Sequence, residues 1–337
     1  MKEGLSGSAR ALPHSPIDRT DGAGLAAAIG SAASTHRLIS AYSLLSGLAL
    51  LFPERPAAWK LFAFVHMVCA VLALWAGART LFDNSGLPTA SGRAANPPRD
   101  WTHIAVAYLS AGYPLLLLPL FYGELPALNQ SVYGGTYFDD LIMRLDSALF
   151  GGQPSQTLAG ALPLPWLSEL LHASYLAYYV VIYAPPLLLL VNDRFAEFRE
   201  AVFTVMLVFF VHYLLFIYFP VQGPRYLNST PVPEVAQGLM FDVAHWVLER
   251  GSSQGAAFPS SHAAVAIAQV VVAARFLPRL VPLLAAIALG LSVGAVYGGF
   301  HYATDMIVGL TLGSAVAYVA PAVANLILGR RWTLSTQ

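Results

Sequence analysis

Three short segments carry the residues best suited to chemistry: "YFPVQGPRY" (218–226), "AFPSSHAAVA" (257–266) and "YGGFHYATDMIVG" (297–309). His301 and Asp305 are four apart, so on a helix they share a face, and a carboxylate beside an imidazole fixes its tautomer and raises its basicity. His262 follows Pro259, Ser260 and Ser261 and opens an apolar run, which places it in the first turn of a helix. Proline favours the first helical position, and free backbone N–H groups there make an anion site. Arg225, set among Pro220, Pro224 and Tyr226, offers a planar fork matched to phosphate oxygens. Two histidines, a carboxylate, an arginine and a helix N-terminus together suit phosphoryl transfer. Each residue also has a plainer reading. Ser260 and Asp305 are good helix caps, Arg225 could snorkel to lipid head groups, and His262, His301 and Asp305 are ligand types for zinc. An arginine nearby favours an anion over a cation.

The elements that must position these residues are apolar helices. Of 337 residues 57% are apolar and 11% charged, against about 45–50% and about 25% in a soluble domain. Eighteen Lys and Arg balance eighteen Asp and Glu, which excludes the basic excess of a nucleic-acid binder. The single cysteine, Cys69, excludes an internal disulfide. The class that remains is an all-α, polytopic membrane helical bundle. A span needs about 20 apolar residues, and eight stretches fit: 38–52, 61–77, 104–122, 174–191, 201–219, 262–277, 280–297 and 305–327. Residues 1–36 read as a disordered or surface-lying tail, with a signal peptide as the competing reading.

Lys and Arg on alternate sides give the orientation, because short cytoplasmic loops are enriched in them. The two tails and the even-numbered loops hold thirteen, and the odd-numbered loops hold Arg55, Lys60, Arg144, Arg225 and Arg250. Both termini are thus expected in the cytoplasm, with the three polar segments converging at the opposite face. His66 and His212, inside apolar runs, read as interhelical hydrogen-bonding residues. No internal repeat of the transporter kind is visible. A transporter with a polar histidine path is the non-enzymatic alternative, but the polar residues cluster at helix ends and only Pro185 and Pro186 interrupt a span.

At these positions the chain resembles the type 2 phosphatidic acid phosphatase superfamily, whose pattern is KxxxxxxRP, PSGH and SRxxxxxHxxxD. The second element reads Pro259-Ser260-Ser261-His262, and the third contains His301 and Asp305 at the family spacing. The resemblance covers residues 104–327 as a six-helix catalytic core, preceded by a two-helix addition at 37–103 and followed by a tail at 328–337. Ser261 stands where the second motif has glycine, and three further departures stand out. Gly294 and Ala295 occupy the SR pair, Tyr218 occupies the first-motif lysine, and Tyr226 follows Arg225 where the family has proline. Loss of the third-motif arginine resembles the inositol phosphorylceramide synthase branch, as does "FDDLIMRLDSALFGGQPSQ" (138–156).

The resemblance implies His301 as nucleophile, Asp305 as its orienting carboxylate and His262 as acid and then base. Arg225, Ser260, Ser261, Tyr226 and the helix amides would hold the phosphoryl oxygens, with no metal and no cofactor. It also implies a phospholipid donor and a lipid hydroxyl as acceptor, in an integral membrane protein, by expectation of a bacterial inner membrane. With water as acceptor the same site gives a lipid phosphate phosphatase. Asp139, Asp140 and Asp146 read as a solvated loop face, with binding of sugar or inositol hydroxyls as the alternative.

Overall fold

The computed structural model describes residues 22–52, 59–85, 101–227, 233 and 235–328, and among them all regular structure is helical. In chain order the helices are α1 (Gly22–Gly47), α2 (Trp59–Ser85), α3 (Trp101–Tyr133), α4 (Asp139–Phe150), α5 (Pro154–Ala161), α6 (Pro165–Leu176), α7 (Tyr178–Val181), α8 (Ala184–Val191), α9 (Phe195–Tyr218), α10 (Leu239–Gly251), α11 (Ser261–Phe276), α12 (Val281–Tyr297) and α13 (Ala303–Ile327). A helix apolar all round must be enclosed by others. α9 has that composition and is the central post, packed by α1, α3, α8, α11 and α13. The outside of the bundle is apolar too: Leu116, Val180, Val191, Leu289 and Leu326 are all exposed. The molecule is built to sit in lipid.

Among the described residues three helical segments are long and apolar enough to cross a membrane: Phe195–Tyr218, Pro278–Tyr297 and Ala303–Ile327. The span expected at 174–191 is broken. Pro165–Val181 and Ala184–Val191 meet at 43°, just ahead of Pro185 and Pro186. Lys60–Trp75 and Ser261–Phe276 are apolar but shorter. The reading of 1–36 as a tail needs correction, because α1 begins at Gly22 and Ser34, Thr35 and His36 are buried; residues 1–21 lie outside the described set. α1 and α2 form a hairpin, and α1 also lies against α9 and α13.

Polar side chains fix the helices at particular levels. His66 of α2 meets Glu124 of α3 at 3.2 Å with both side chains buried, an interhelical link of the kind its sequence setting implies. His212 differs: its Nδ1 lies 2.7 Å from the Val208 carbonyl of its own helix. At the end of the bundle away from the polar segments, Arg37 donates to the Ile327 carbonyl at 2.6 Å and Arg194 to the Phe276 carbonyl at 2.6 Å. These cations sit where the C-termini of α13 and α11 concentrate partial negative charge.

α11 and α13 run side by side from the polar end, and their approach depends on glycine. A Cβ on Gly309 would overlap the Ser260 carbonyl, and one on Gly313 would overlap the backbone of Ala264. Gly309→Val should therefore destabilise the detergent-solubilised protein by about 1–3 kcal/mol, the usual cost of overpacking. Gly123→Ala should not, because nothing lies within 4 Å of that added carbon. Thermal unfolding of the two variants checks this.

Candidate functional site

The site forms where four helix ends meet: the C-termini of α9 and α12 and the N-termini of α11 and α13. Backbone pairing holds the three polar segments together. Val221 bridges to Ala256, with its N–H donating to the Gly255 carbonyl and its carbonyl accepting from Ala257 N at 2.9 Å. The Ser260 N–H donates to the Asp305 carbonyl at 3.0 Å. Gly223, at φ +92°, lets this loop pass against Ala257 and the Phe300 carbonyl.

His301 precedes α13 and does not sit on it, so the expected pairing through a shared helical face is replaced by a cap. Asp305 Oδ2 accepts from Tyr302 N at 2.9 Å and lies 3.2 Å from His301 Nδ1. The capping and orienting readings of Asp305 are therefore one arrangement, with the residue fully buried. His262 lies opposite, its ring centroid 5.5 Å from that of His301 and nearly perpendicular to it. It occupies the first turn of α11, as expected. The N-cap, however, is Ser260 and Pro259 stands before it, so proline does not open the helix. Ser260 Oγ accepts from Ala263 N at 3.3 Å. That leaves the Ser261 and His262 amides, which have no acceptor within their own helix, at the open end of α11.

Arg225 is half-buried, donates to Ser252 Oγ at 3.1 Å and lies over the Tyr226 ring. Tyr226 shares the same Ser252 hydroxyl at 2.8 Å. Burial pushes the His301 imidazole down to about 4, with a hydrogen bond to the Ala257 carbonyl opposing this and the Arg225 charge adding to it. At neutral pH His301 thus keeps its lone pair, as a nucleophile requires. His262, His301 and Asp305 do not converge as a metal triad, and among the described residues no three His, Cys, Asp or Glu do.

Two residue groups escaped the sequence reading. Tyr175 of α6 places its hydroxyl 3.3 Å from His262 Nε2, and its ring stacks on the imidazole. It sits in an apolar run with nothing to distinguish it. The acidic loop face is the larger correction, because Asp139 and Asp146 are buried and only Asp140 is exposed. Asp139 accepts from Gln222 N, Gly223 N and the Tyr302 hydroxyl, each at 2.9–3.0 Å. Asp146 accepts from Ala303 N at 3.1 Å, Thr304 N at 2.8 Å and the Thr304 hydroxyl. Seven residues apart, they lie on one face of α4 and hold the Arg225 loop with one hand and the start of α13 with the other.

A family model described as the PAP2 superfamily matches residues 140–319, a range that includes His262, His301, Asp305, Arg225 and Asp146. No curated protein and no solved structure matches the chain.

Asp146→Ala strips the acceptor from two backbone amides and a hydroxyl, each worth about 1–3 kcal/mol when buried without a partner. The expected result is faster hydrogen exchange at Ala303 and Thr304 and a lower unfolding temperature. Asp140→Ala, at an exposed position on the same helix, should leave both unchanged.

Proposed function

We propose that this chain, which belongs to the PAP2 superfamily, moves a phosphoryl head group from a phospholipid donor to a lipid hydroxyl through a phosphohistidine on His301. The family supports phosphatase or phosphotransferase chemistry, and the apolar helices fit a membrane-embedded protein. The observation that carries the reading is the His301–Asp305 pair facing His262 across 5.5 Å, beside the open end of α11.

In the first half-reaction His301 attacks phosphorus through the ring nitrogen that Asp305 does not hold. A nitrogen–phosphorus bond forms as the bond to the leaving lipid alcohol breaks. The bound phosphate favours the protonated imidazole of His262, which gives its proton to the departing oxygen. The Tyr175 hydroxyl holds Nε2 of His262, and Nδ1 of that ring has no partner among the described residues. In the second half-reaction His262 takes the proton from the incoming hydroxyl as that oxygen displaces His301. Arg225 and the α11 amides stabilise the phosphoryl oxygens, so the scheme asks nothing of a metal.

Charge supports a diester donor, including a phosphoinositol lipid, and a transferase outcome. The third-motif arginine of the family falls here on Ala295, fully buried in one apolar cluster with Tyr175 and Phe300. A monoester carries close to two negative charges and a diester one, so a site with Arg225 as its guanidinium matches the diester. We further place the site on the periplasmic, exterior or lumenal face with both termini cytoplasmic, on the Lys and Arg count.

The test is a paired assay in lipid: labelled phosphatidylinositol with a ceramide acceptor, beside phosphatidic acid in water, with His301→Ala as blank. Head-group transfer without phosphate release supports the proposal, and free phosphate from phosphatidic acid makes the chain a phosphatase instead. His301→Ala should fall to background in either case, and full retention of turnover would remove His301 as nucleophile. With a diester donor, kcat/KM should hold as pH falls past 6.5 and drop only near 4, where His301 takes up a proton. Arg225→Gln removes a charge that lowers that value, so the acid limb should move upward in a pH–rate profile.

A further inference from the structure

The break between α7 and α8 opens a slot of about 520 Å³ between α3, the broken helix, α9 and α10. One end is bordered by Arg250, Ser252 and Ser253, the other by Leu118 and Phe209. His262 forms part of the wall and His301 does not. Along α3 the lining runs from Leu118 to Pro126, about 12 Å at 1.5 Å per residue, close to the ~15 Å half-thickness of a hydrocarbon core. The Tyr122 hydroxyl accepts from Ser253 N at 3.2 Å and the Tyr213 hydroxyl donates to the Leu118 carbonyl at 3.3 Å. Both tyrosines line the slot with their hydroxyls already engaged. On the outside Pro119, Gly123 and Tyr179 are exposed, so the slot opens sideways, toward the surrounding lipid.

We infer that this slot seats one hydrocarbon chain of a lipid alcohol, upright in its leaflet, with the oxygen at His262. This rests on the phosphoryl-transfer reading above and adds where the two alcohols bind. A depth near that of one leaflet, an apolar floor, a polar rim and a lateral mouth suit an acyl or alkyl chain, and a water-soluble alcohol would gain nothing from them. Ser252, on the rim, is also the residue that Arg225 bonds, so the chain and the phosphoryl group meet at the top of the slot. The leaving alcohol occupies it first. The acceptor follows by the same mouth, forms its oxygen–phosphorus bond as the His301 nitrogen–phosphorus bond breaks, and passes its proton to His262.

The experiment uses the full chain in nanodiscs with a hexadecanol bearing a mid-chain diazirine, followed by peptide mapping. A second arm compares turnover of a long-chain phosphate ester with that of a soluble aryl phosphate. Gly123→Phe adds a ring at the exposed mouth of the slot, where the Cβ itself meets nothing within 4 Å. Labelling should fall on 118–126 or 178–183, drop at least tenfold in Gly123→Phe, and be accompanied by a tenfold fall in the long-chain to soluble turnover ratio. Label elsewhere, label insensitive to Gly123→Phe, or an unchanged ratio overturns the inference. Slot labelling that Gly123→Phe blocks, in a protein that turns over no phosphate ester, upholds the slot and overturns the phosphoryl-transfer reading.

Discussion

Two carboxylates on α4 hold the catalytic end of this bundle in place. Asp146 fastens to the first amides of α13 and Asp139 to the amides of the loop that carries Arg225, while the Tyr302 hydroxyl returns to Asp139. Backbone pairings between the loops and the ring contact of His262 with His301 add to these anchors. With α4 in place, the Arg225 loop, the His301 turn and the Ser260 cap become one body. An unpaired buried carboxylate would be costly. Here each takes several hydrogen bonds, and Asp146 also sits at a helix N-terminus, where negative charge is favoured.

That placement divides two similar helix ends between two tasks. α11 and α13 both bring N-termini to the site, and either could attract a phosphate. The protein spends the α13 end on its own anions, Asp146 and the capping Asp305. The α11 end is capped only by the neutral Ser260 and keeps its amides for an incoming anion. On the proposed reading the fixed charges direct an anionic substrate to α11, and Asp305 stands 3.2 Å from His301 Nδ1. Glycines at 309 and 313 bring the two helices close enough for this division to matter.

The residues of the proposed site are legible in sequence because their spacing is local. His301 and Asp305 pair within one turn, and His262 is tied to a helix start by the Pro-Ser-Ser before it. Asp139 and Asp146 were misread for a physical reason. α4 is inside-out: its buried face holds Asp139, Ile142 and Asp146, and its exposed face holds Leu141, Leu145, Leu149 and Phe150. The seven-residue spacing was visible, but in water the polar face of such a helix points outward. Only an apolar surrounding reverses it, so the face cannot be assigned before the solvent is known. Tyr175 and the α7–α8 break had no local signal beyond Pro185 and Pro186, since their roles arise from contacts with distant helices.

The same packing bears on the missing arginine. Ala295 is fully buried in one cluster with Tyr175, Phe300 and Met306, and Gly294 beside it lies against the backbone of Leu171 in α6. Tyr175, in that cluster, places its hydroxyl 3.3 Å from His262 Nε2, so relative to the family pattern the proposed site has a neutral hydrogen-bonding group and no third-motif guanidinium, a trade of fixed charge for a hydrogen bond. Such a trade weakens the hold on a dianion and costs less for a monoanion, because the Coulomb term scales with ligand charge while the hydrogen bond does not. On the proposed phosphoryl-transfer reading, this one buried position connects helix packing in the bundle to the charge of the substrate.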